Sequence, residues 1–266
     1  MNIVAIIPAR MGSTRFPGKP LAPILGVPMI GHVYMRTAMA ESLSDCWVAT
    51  CDQEIMHYVD SIGGKAVMTA DTHERCSDRC AEAMLKIEEQ TGKKIDIVVM
   101  VQGDEPFVTP DMVDAAVQAI KEGQAQGAGV ACLMGTIETE KEFEDPNCIK
   151  VVVNNRNEAV YMSREPIPTR SRGCNKGPWL KQVCIIPYTR DYLLTFNNTA
   201  PSSLEIAESI DLNRCIQNGH VVQMALSPDR AISVDTPADL AYAETVMKNE
   251  DVLVKEYLDV VKSAVA

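Results

Sequence analysis

The first predicted strand constrains the fold of this chain more than any other feature. Five consecutive apolar residues, 3–7, end at Pro8, and four of the five are β-branched. A short β-branched run without polar alternation is typical of a strand that is buried on both faces, as in a parallel sheet. Parallel strands need long crossover connections, which are usually helices, so the sequence predicts an α/β protein.

The segment that follows this strand has the composition of a phosphate-binding loop. Residues 9–20 include two glycines, two prolines, Ser13 and the cations Arg10, Arg15 and Lys19. Small residues let backbone N–H groups approach an anion, and fixed cations neutralise phosphate charge. Open α/β sheets bind ligands just past the carboxyl ends of their strands, where this loop begins. A solvated basic turn is the alternative, but the strand–loop context favours phosphate binding.

The loop matches neither of two common phosphate motifs. One residue more than in a P-loop separates Gly12 from Gly18, and Pro20 stands where a P-loop has its magnesium-binding hydroxyl. The dinucleotide fingerprint G-x-G-x-x-G is absent too. The pattern that remains is R-x-x-S-x-R-x-P-x-K-P, directly after a first strand.

The composition argues against several classes of function. No apolar run approaches the ~20 residues of a membrane span, and no basic segment precedes the first strand. We therefore expect neither a membrane anchor nor a signal peptide. The net charge of −11 argues against general binding to nucleic acid or to membrane surfaces. An anionic substrate would need a local basic pocket, which the first loop supplies.

The cysteine pattern indicates reduced thiols. The nine cysteines are odd in number and show no paired spacing, so we expect a cytoplasmic protein. His73, Cys76 and Cys80, with Cys51, could contribute zinc ligands. A closed zinc site needs four ligands in a tighter pattern, so zinc binding is the weaker interpretation of this group.

Helix and strand signals alternate over the first part of the chain. This alternation predicts a doubly wound parallel sheet, and residues 95–101 (IDIVVMV) predict its central strand. The chain shows no internal repeat, low-complexity tract or clear linker, so we interpret residues 1–266 as a single domain. Residues 165–180 form a basic, irregular excursion that is either a mobile flap or a dimer contact.

Two aspartates come directly after predicted strands or apolar segments. Asp104 follows the central strand, and Asp235 lies between a short apolar segment and a predicted helix. Carboxylates at such positions can hold a divalent cation that also binds phosphate oxygens, and Mg2+ favours a few carboxylates plus phosphate and water. The alternative is that Asp104 shapes the turn before Pro106 and that Asp235 is part of a helix N-terminus. The two aspartates could share one Mg2+ ion.

Together these segments resemble a known family. The resemblance rests on motifs in this order: IPARMGSTRFPGKPL, VATCD, VMTADTHERCSDR, VQGDEP, KVVV, YMSREPIP and SVDTPADL. Over nearly its whole length the chain resembles the cytidylyltransferases that activate 3-deoxy-D-manno-octulosonate (Kdo), the CMP-Kdo synthetases. The resemblance implies a three-layer α/β/α nucleotidyltransferase fold with a mostly parallel mixed sheet. It also implies a homodimer that uses CTP and Mg2+ and releases pyrophosphate.

The resemblance implies roles for individual residues, carried over by position. The catalytic group would be Arg10, Lys19, Asp104 and Asp235, of which the two aspartates would bind Mg2+. The nucleotide-binding residues would be Arg10, Ser13, Arg15, Lys19, Arg75, Ser77, Arg79 and Gln102. The residues that face the acceptor sugar would be Ser163, Arg164, Gln182, Glu205 and Asp211.

The chain departs from the family pattern on both sides of the predicted site. The family's H-x-S-G-T-[DE]-R loop reads HERCSDR at residues 73–79, with Arg75 for a serine and Cys76 for a glycine. On the acceptor side, Gln182 replaces a histidine. The family's helix pattern L-E-x-x-E-x-L-E-Q-L-R keeps Glu205, Glu208 and Arg214 here, but residues 211–212 (Asp-Leu) replace its glutamate–glutamine pair. We hypothesise an intact catalytic half and an acceptor half retuned towards a modified Kdo or another acidic sugar. Neutral drift in an enzyme for unmodified Kdo is the alternative.

Two other functions stay open at this point. Arg75 and Cys76 motivate a nucleotidyltransferase for another nucleotide, such as UTP, or for another sugar. A non-catalytic nucleotide-sugar binding protein is the second alternative. The charged residues of the catalytic group argue against it, because a protein that only binds the nucleotide sugar has less need of a pair of metal-binding aspartates.

Overall fold

The computed structural model describes residues 1–12, 16–170, 177 and 179–265. Ser13, Arg15 and part of the 165–180 excursion lie outside these described residues. The chain divides into two compact units, one of Met1–Asp114 with Arg230–Ala266 and one of Ala115–Asp229. The interpretation as a single domain stays a prediction.

Helices and strands alternate through much of the chain. The strands of the described residues are β1 (Ile3–Ala9), β2 (Pro23–Ile24), β3 (Val27–Pro28), β4 (Asp45–Thr50), β5 (Ala66–Met68), β6 (Ile97–Val101), β7 (Val130–Thr136), β8 (Lys150–Val153), β9 (Ala159–Ser163), β10 (Leu180–Val183), β11 (Ile185–Thr189) and β12 (Val222–Leu226). The helices are α1 (Met29–Ala38), α2 (Gln53–Ser61), α3 (Cys76–Thr91), α4 (Pro110–Gln124), α5 (Glu140–Glu144), α6 (Arg190–Asn198), α7 (Ser203–Glu208), α8 (Leu212–Gln217), α9 (Pro237–Asn249) and α10 (Val254–Val265). In the part of the chain that the structure describes, none of these helices has the length and apolar character needed to cross a membrane.

The first unit is built around a parallel sheet. Its strands lie in the order β5-β4-β1-β6, and each neighbouring pair is parallel. All seven residues of β1 and all five of β6 are buried. The continuous apolar runs therefore form strands that are buried on both faces, as the sequence predicts.

The second unit carries a mixed sheet. β7 pairs antiparallel with β10 and β11 and parallel with β12. β8 pairs antiparallel with both β9 and β10, which sets Lys150 opposite Ser163. With the parallel strands of the first unit, these pairings confirm the predicted α/β class with a mixed, mostly parallel sheet.

Two elements that the sequence pattern predicts as continuous are interrupted in the second unit. The apolar run over 183–186 predicts one strand, but the structure ends β10 at Val183 and begins β11 after Cys184. The pattern over 203–218 predicts one helix, but α7 and α8 are separated at Ser209, whose φ is +52°. A residue in this left-handed conformation cannot continue a right-handed helix, so a new helix has to begin after it.

The described residues of the 165–180 excursion include one packed cation. The Arg170 guanidinium carbon lies 3.9 Å from the ring centroids of both Phe143 and Trp179. Arg170 also pairs with Glu140. Cation–π contacts of this kind hold Arg170 against Trp179, near the other end of the excursion. The choice between a flap and a dimer contact stays a prediction.

An apolar cluster in the first unit lies behind the two predicted metal ligands. It joins β2, β3 and the start of α1 to α9 and α10. Phe107, just after Asp104 in sequence, and Val234, directly before Asp235, both belong to it. Because burial of apolar surface drives folding, this cluster fixes the two turns that carry the aspartates.

A buried polar network ties α10 to α1. Arg36 Nε donates to the Tyr257 hydroxyl over 2.7 Å, and Arg36 also pairs with Asp251. His32 Nδ1 lies 2.7 Å from the same hydroxyl, and His32 Nε2 lies 2.9 Å from the Ile24 carbonyl oxygen. A carbonyl can only accept, so Nε2 carries the proton and Nδ1 accepts from Tyr257. Burial, with the Arg36 charge as a smaller contribution, lowers the pKa of His32 to about 4.

We expect His32 to make the free energy of unfolding depend on pH. Its pKa is about 4 in the folded state and 6.5 in the unfolded state, so the unfolded state binds more protons between these values. Stability therefore falls as the pH is lowered from 6.5 to 4, by about 3 kcal/mol in full. Urea unfolding at several pH values, with wild type and His32→Gln, measures the slope.

The His32→Gln variant should lose most of this slope, whatever its stability at pH 7. The control His57→Gln, at an exposed position on α2, should keep the wild-type slope. Equal slopes in wild type and His32→Gln would contradict the assignment.

Candidate active site

The predicted phosphate loop after β1 is anchored in the part that the structure describes. The Gly18 N–H donates to the Met11 carbonyl over 3.1 Å, which closes the loop at its base. The Met11 N–H donates to the Asp52 carboxylate over 2.7 Å, and Asp52 follows β4, the neighbour of β1. Gly18 has a φ of +75°, a conformation that L side chains rarely adopt, so the turn into Lys19 requires glycine.

Arg10 is exposed at the end of β1. Its Nη1 lies 3.5 Å from the His73 carbonyl oxygen, so its side chain reaches the loop that precedes α3. The planar guanidinium has five N–H donors, and an exposed one can bind phosphate oxygens. The other predicted phosphate ligands of this loop, Ser13 and Arg15, lie outside the described residues.

The ammonium of Lys19 lies between the two predicted metal ligands. Lys19 Nζ is 2.8 Å from Asp104 Oδ2, 3.4 Å from Asp235 Oδ1 and 3.0 Å from the Val234 carbonyl oxygen. The side chains are mostly buried, with 14% of Lys19 and 23% of each aspartate exposed. The first unit therefore brings together three predicted catalytic residues that are far apart in the sequence.

The turn after β6 carries Asp104 past the end of β1. A β-carbon at position 103 would lie only 3.0 Å from the Pro8 carbonyl oxygen, so Gly103 permits this close approach. The Val234 N–H donates to the Asp104 carbonyl over 2.9 Å. This backbone hydrogen bond joins the two turns that carry the aspartates.

Asp235 precedes α9 without capping it. Thr236 is the N-cap residue: its hydroxyl accepts from the Asp239 N–H, and the Asp239 carboxylate accepts from the Thr236 N–H over 2.8 Å. This reciprocal capping box satisfies the helix terminus. Asp235 therefore lies at the helix N-terminus without being its N-cap residue, and its carboxylate faces Lys19.

The two aspartates have the donor chemistry that Mg2+ prefers. Both carboxylates approach one cationic nitrogen, and with Lys19 they carry one net negative formal charge. In the described residues no group of three or more histidine, cysteine or acidic side chains is arranged to hold a metal ion. A pair of carboxylates that leaves further positions to phosphate and water is the usual protein contribution to a Mg2+ site. The two aspartates thus fit the predicted Mg2+ ion. The Lys19 ammonium occupies a position at which both carboxylates bind a cation.

The loop before α3 is held by a carboxylate that the sequence analysis did not single out. Glu82 accepts from the Ala70 N–H over 2.9 Å and bonds His73 Nε2 and Lys86. Burial alone would raise the pKa of Glu82, but these hydrogen bonds lower it to about 2. The loop that leads to Arg75 is therefore fixed by the helix that follows it.

The predicted nucleotide residues of this region differ in exposure. Arg75 is the N-cap residue of α3 and is half-buried, Ser77 is buried in the first turn, and Gln102 is half-buried after β6. Arg79 is 97% buried, and its Nη1 donates to the Thr69 hydroxyl and the Ala70 carbonyl. Its buried Nη2 has no hydrogen-bond partner within the described residues. A buried donor in this state is costly unless a ligand or water accepts from it.

In the second unit, Ser163 and Arg164 form a tightly bonded corner at the end of β9. The Ser163 hydroxyl and the Arg164 N–H donate to the Glu208 carboxylate over 2.8 and 2.9 Å. Burial would raise the pKa of Glu208, but hydrogen bonds from Arg164, Tyr161 and Ser163 lower it. The Arg164 carbonyl accepts from the buried ammonium of Lys150.

The other predicted acceptor residues lie in three elements of the second unit. Gln182 is half-buried in β10, and its Nε2 lies 3.6 Å from the Cys132 sulfur. Glu205 is buried in α7 and pairs with Arg214 through hydrogen bonds of 2.7 and 2.8 Å. Asp211 directly precedes α8. Contact of these residues with a sugar stays a prediction, and the contacts of Glu205 give it a structural role as well.

Four residues that matter to this geometry were absent from the predicted site: Asp52, Glu82, Lys150 and Glu208. Three of the four have a weak signal in the sequence. Asp52 ends the VATCD motif, Lys150 begins KVVV, and Glu208 is one of two glutamates that survive in the family's helix. Each acts on backbone groups of another segment, which spacing along the chain does not reveal.

The sequence and fold are similar to those of known proteins. A family model described as cytidylyltransferase matches residues 4–227. The chain is 40% identical over 254 residues to the 3-deoxy-manno-octulosonate cytidylyltransferase of Geobacter metallireducens, covering 90% of this chain and 95% of that protein. It is 37% identical over 244 residues to the 8-amino-3,8-dideoxy-manno-octulosonate cytidylyltransferase of Shewanella loihica, covering 92% and 98%. A solved structure of CMP:2-keto-3-deoxy-manno-octonic acid synthetase complexed with CTP matches with a TM-score of 0.85 and 38% identity, over 94% of this chain and 100% of that one.

We expect Lys19→Met to lower the free energy of unfolding by about 1–2 kcal/mol at neutral pH and low salt. The substitution leaves two partly buried carboxylates facing each other without a cation. Added salt should reduce the loss, because it screens the repulsion. Thermal or urea unfolding at two salt concentrations measures it.

The control for this variant is Lys65→Met. Lys65 pairs with Asp45 over 2.8 Å but is 52% exposed, so its removal should cost less than about 0.5 kcal/mol. Equal effects in the two variants would show that the Lys19 cluster has no special electrostatic weight.

Proposed function

The chain belongs to the cytidylyltransferase family, and from this premise we propose that it transfers CMP from CTP to the anomeric hydroxyl of a Kdo-like 2-keto sugar acid. The products are the CMP-sugar and pyrophosphate. The nucleotidyltransferase fold and the family membership support this reaction class. The structural observation that carries the proposal is the cluster of Lys19, Asp104 and Asp235 beside the phosphate loop.

The reaction needs charge stabilisation rather than a covalent enzyme intermediate. The sugar hydroxyl oxygen forms a bond to the α-phosphorus as the bond from that phosphorus to the β,γ-diphosphate breaks, and the hydroxyl proton is released. Negative charge develops on the departing pyrophosphate, and fixed cations at this position lower the barrier. In our proposal Arg10 and Lys19 supply these cations, with Ser13 and Arg15 of the same loop binding the triphosphate.

We propose that Asp104 and Asp235 hold Mg2+. Their convergence on one cationic nitrogen supports this role, as does the net negative charge of the cluster. When bound, Mg2+ neutralises charge on phosphate oxygens and helps to orient them. In this scheme neither aspartate acts as a covalent nucleophile.

The nucleotide base and ribose are assigned in this proposal to the loop 73–79 and to Gln102. Arg79 is the best supported of these residues, because its buried Nη2 needs an acceptor and nucleotide oxygens supply one. Arg75 and Ser77 complete the set. The choice of CTP over other nucleotides is part of the proposal and depends on this loop.

The acceptor is assigned to residues of the second unit, namely Ser163, Arg164, Gln182, Glu205 and Asp211. Relatives named for Kdo and for its 8-amino derivative are about equally similar to the chain, so both sugar acids are candidate acceptors. Leu212 is only 1% exposed where the family pattern has glutamine, and Gln182 stands in place of a histidine. These changes support an acceptor half that differs from the family's.

We also propose that the protein acts as a homodimer in the cytoplasm, as the resemblance implies. All eight cysteines among the described residues are free thiols, in keeping with a reducing compartment. Sedimentation or light scattering of the purified protein tests the dimer.

We expect pyrophosphate release when the protein is given CTP, Mg2+ and a Kdo-type acid. The assay should include Kdo, its 8-amino-8-deoxy derivative and related 2-keto sugar acids, each with the four nucleoside triphosphates. A preference for unmodified Kdo would identify the altered acceptor residues as neutral drift. Release only with another acid would support the retuned pocket, and release only with another nucleotide would contradict the choice of CTP.

We expect Asp104→Asn and Asp235→Asn each to lower kcat by on the order of 100-fold or more, because each removes a charged metal ligand. Both variants should keep a cooperative unfolding transition. Asp45→Asn is the matched control, since Asp45 is also a partly buried aspartate paired with a lysine. Near-normal turnover in the double variant Asp104→Asn/Asp235→Asn would refute the metal assignment.

A further inference from the structure

The corner at Ser163 and Arg164 is held from opposite sides by two charged side chains that have no assigned part in the reaction. Glu208 accepts from the Arg164 N–H over 2.9 Å, and Lys150 Nζ donates to the Arg164 carbonyl over 2.5 Å. Both polar groups of one residue's backbone are thus bonded to ions. Hydrogen bonds to charged groups are about twice as strong as those between neutral groups.

Glu208 uses both carboxylate oxygens on β9 and the residue after it. One oxygen accepts from the Tyr161 hydroxyl over 2.7 Å and from the Ser163 hydroxyl over 2.8 Å. The other accepts from the Arg164 N–H. Glu208 is the last residue of α7, so it fixes the end of β9 against that helix.

Lys150 provides the opposite hold. Its side chain is fully buried, and its ammonium donates to the carbonyl oxygens of Asp145 and Arg164 over 2.9 and 2.5 Å. Burial lowers its pKa. A fully buried lysine is rare, because removing an ammonium from water is strongly unfavourable. Lys150 lies opposite Ser163 in the β8–β9 pairing. A buried lysine at this position would be unfavourable if the corner needed only apolar packing.

The side chain of Arg164 is also fixed. Its Nε donates to the Glu208 carbonyl over 2.7 Å, Nη1 to the Pro146 carbonyl over 2.8 Å and Nη2 to the Ser209 carbonyl over 3.1 Å. A guanidinium has five N–H groups, so two remain beyond those that the described residues accept here. The three carbonyls fix the plane of the Arg164 guanidinium, and this also fixes the direction of its two other N–H groups.

We infer that Glu208 and Lys150 are positioning residues for the acceptor sugar, holding Arg164 so that its remaining N–H groups bind the sugar's carboxylate. This inference rests on the proposed function. A carboxylate is bound most strongly by a guanidinium whose orientation is already fixed, because the cost of ordering it is met during folding. Neither residue touches substrate in this scheme, since both act through Arg164.

The test is the kinetics of Glu208→Gln. Glutamine has the same shape but no charge, so its amide oxygen would bind the Arg164 N–H more weakly, and the flipped amide would set NH2 against that N–H, donor against donor. We expect the KM for the sugar acid to rise about tenfold, with the KM for CTP changed less than about twofold. Lys150→Met should raise the same KM. Tyr161→Phe removes one hydrogen bond from Glu208 and serves as a mild second variant, with a rise of about two- to threefold.

The matched control is Glu158→Gln, at the other end of the same β8–β9 hairpin. Glu158 also has a carboxylate that accepts several hydrogen bonds, from Arg156 and Asn154. It should leave both KM values unchanged. Thermal unfolding of every variant, and the affinity for CTP measured by calorimetry, accompany the kinetics.

A rise in the sugar KM alone, in Glu208→Gln and not in Glu158→Gln, would support the inference. An unchanged sugar KM in a folded Glu208→Gln would overturn it, and so would an equal rise in the KM for CTP, which indicates a general loss of structure. If the wild type binds CTP but releases no pyrophosphate with any sugar acid, the proposed function fails and the inference fails with it. An active wild type with unaffected variants removes the inference alone.

Discussion

The electrostatic contact among Lys19, Asp104 and Asp235 is the constraint on which the first unit depends. Three segments that are remote in sequence meet at one ammonium nitrogen, at distances of 2.8 and 3.4 Å from the two carboxylates. Each segment has its own local support: a left-handed Gly18, the close approach of Gly103 to β1, and a capped α9. Without the cation the carboxylates would repel one another, so the chemistry of the site and the closure of the unit have a common origin.

Much of this first unit could be predicted from the sequence, because its signals are local. Continuous apolar runs predicted β1 and β6 as buried strands, and both are completely buried. Since parallel strands all end at the same edge of a sheet, the residues after them were expected to converge, and Lys19 and Asp104 do. The position of Asp235 in the same cluster was predicted from the family resemblance and from its place before a helix. The sequence pattern alone did not distinguish it from a helix cap.

The residues that prediction missed act across long sequence separations. Glu208 bonds the Arg164 N–H, 44 positions away, and Asp52 bonds the Met11 N–H, 41 positions away. In a sequence, a carboxylate on a helix is interpreted as a solvent-exposed side chain unless its partner is known. A backbone N–H group that needs an acceptor cannot be recognised from the sequence. The break at Ser209 was missed because its left-handed backbone has no signal in the sequence: serine, unlike glycine, has no marked preference for that conformation.

The family pattern and the structure together explain which acceptor-side residues were free to change. Glu205 forms a buried ion pair with Arg214, and Glu208 holds the corner at Arg164, so the loss of either would leave a buried charge unpaired or a backbone donor unbonded. These residues match the family pattern. Leu212 departs from it, and its apolar side chain is buried at no such cost. The substitution at Leu212 thus spares the ionic contacts that hold the fold, which agrees with our proposal that the acceptor half differs from the family's while the scaffold is kept.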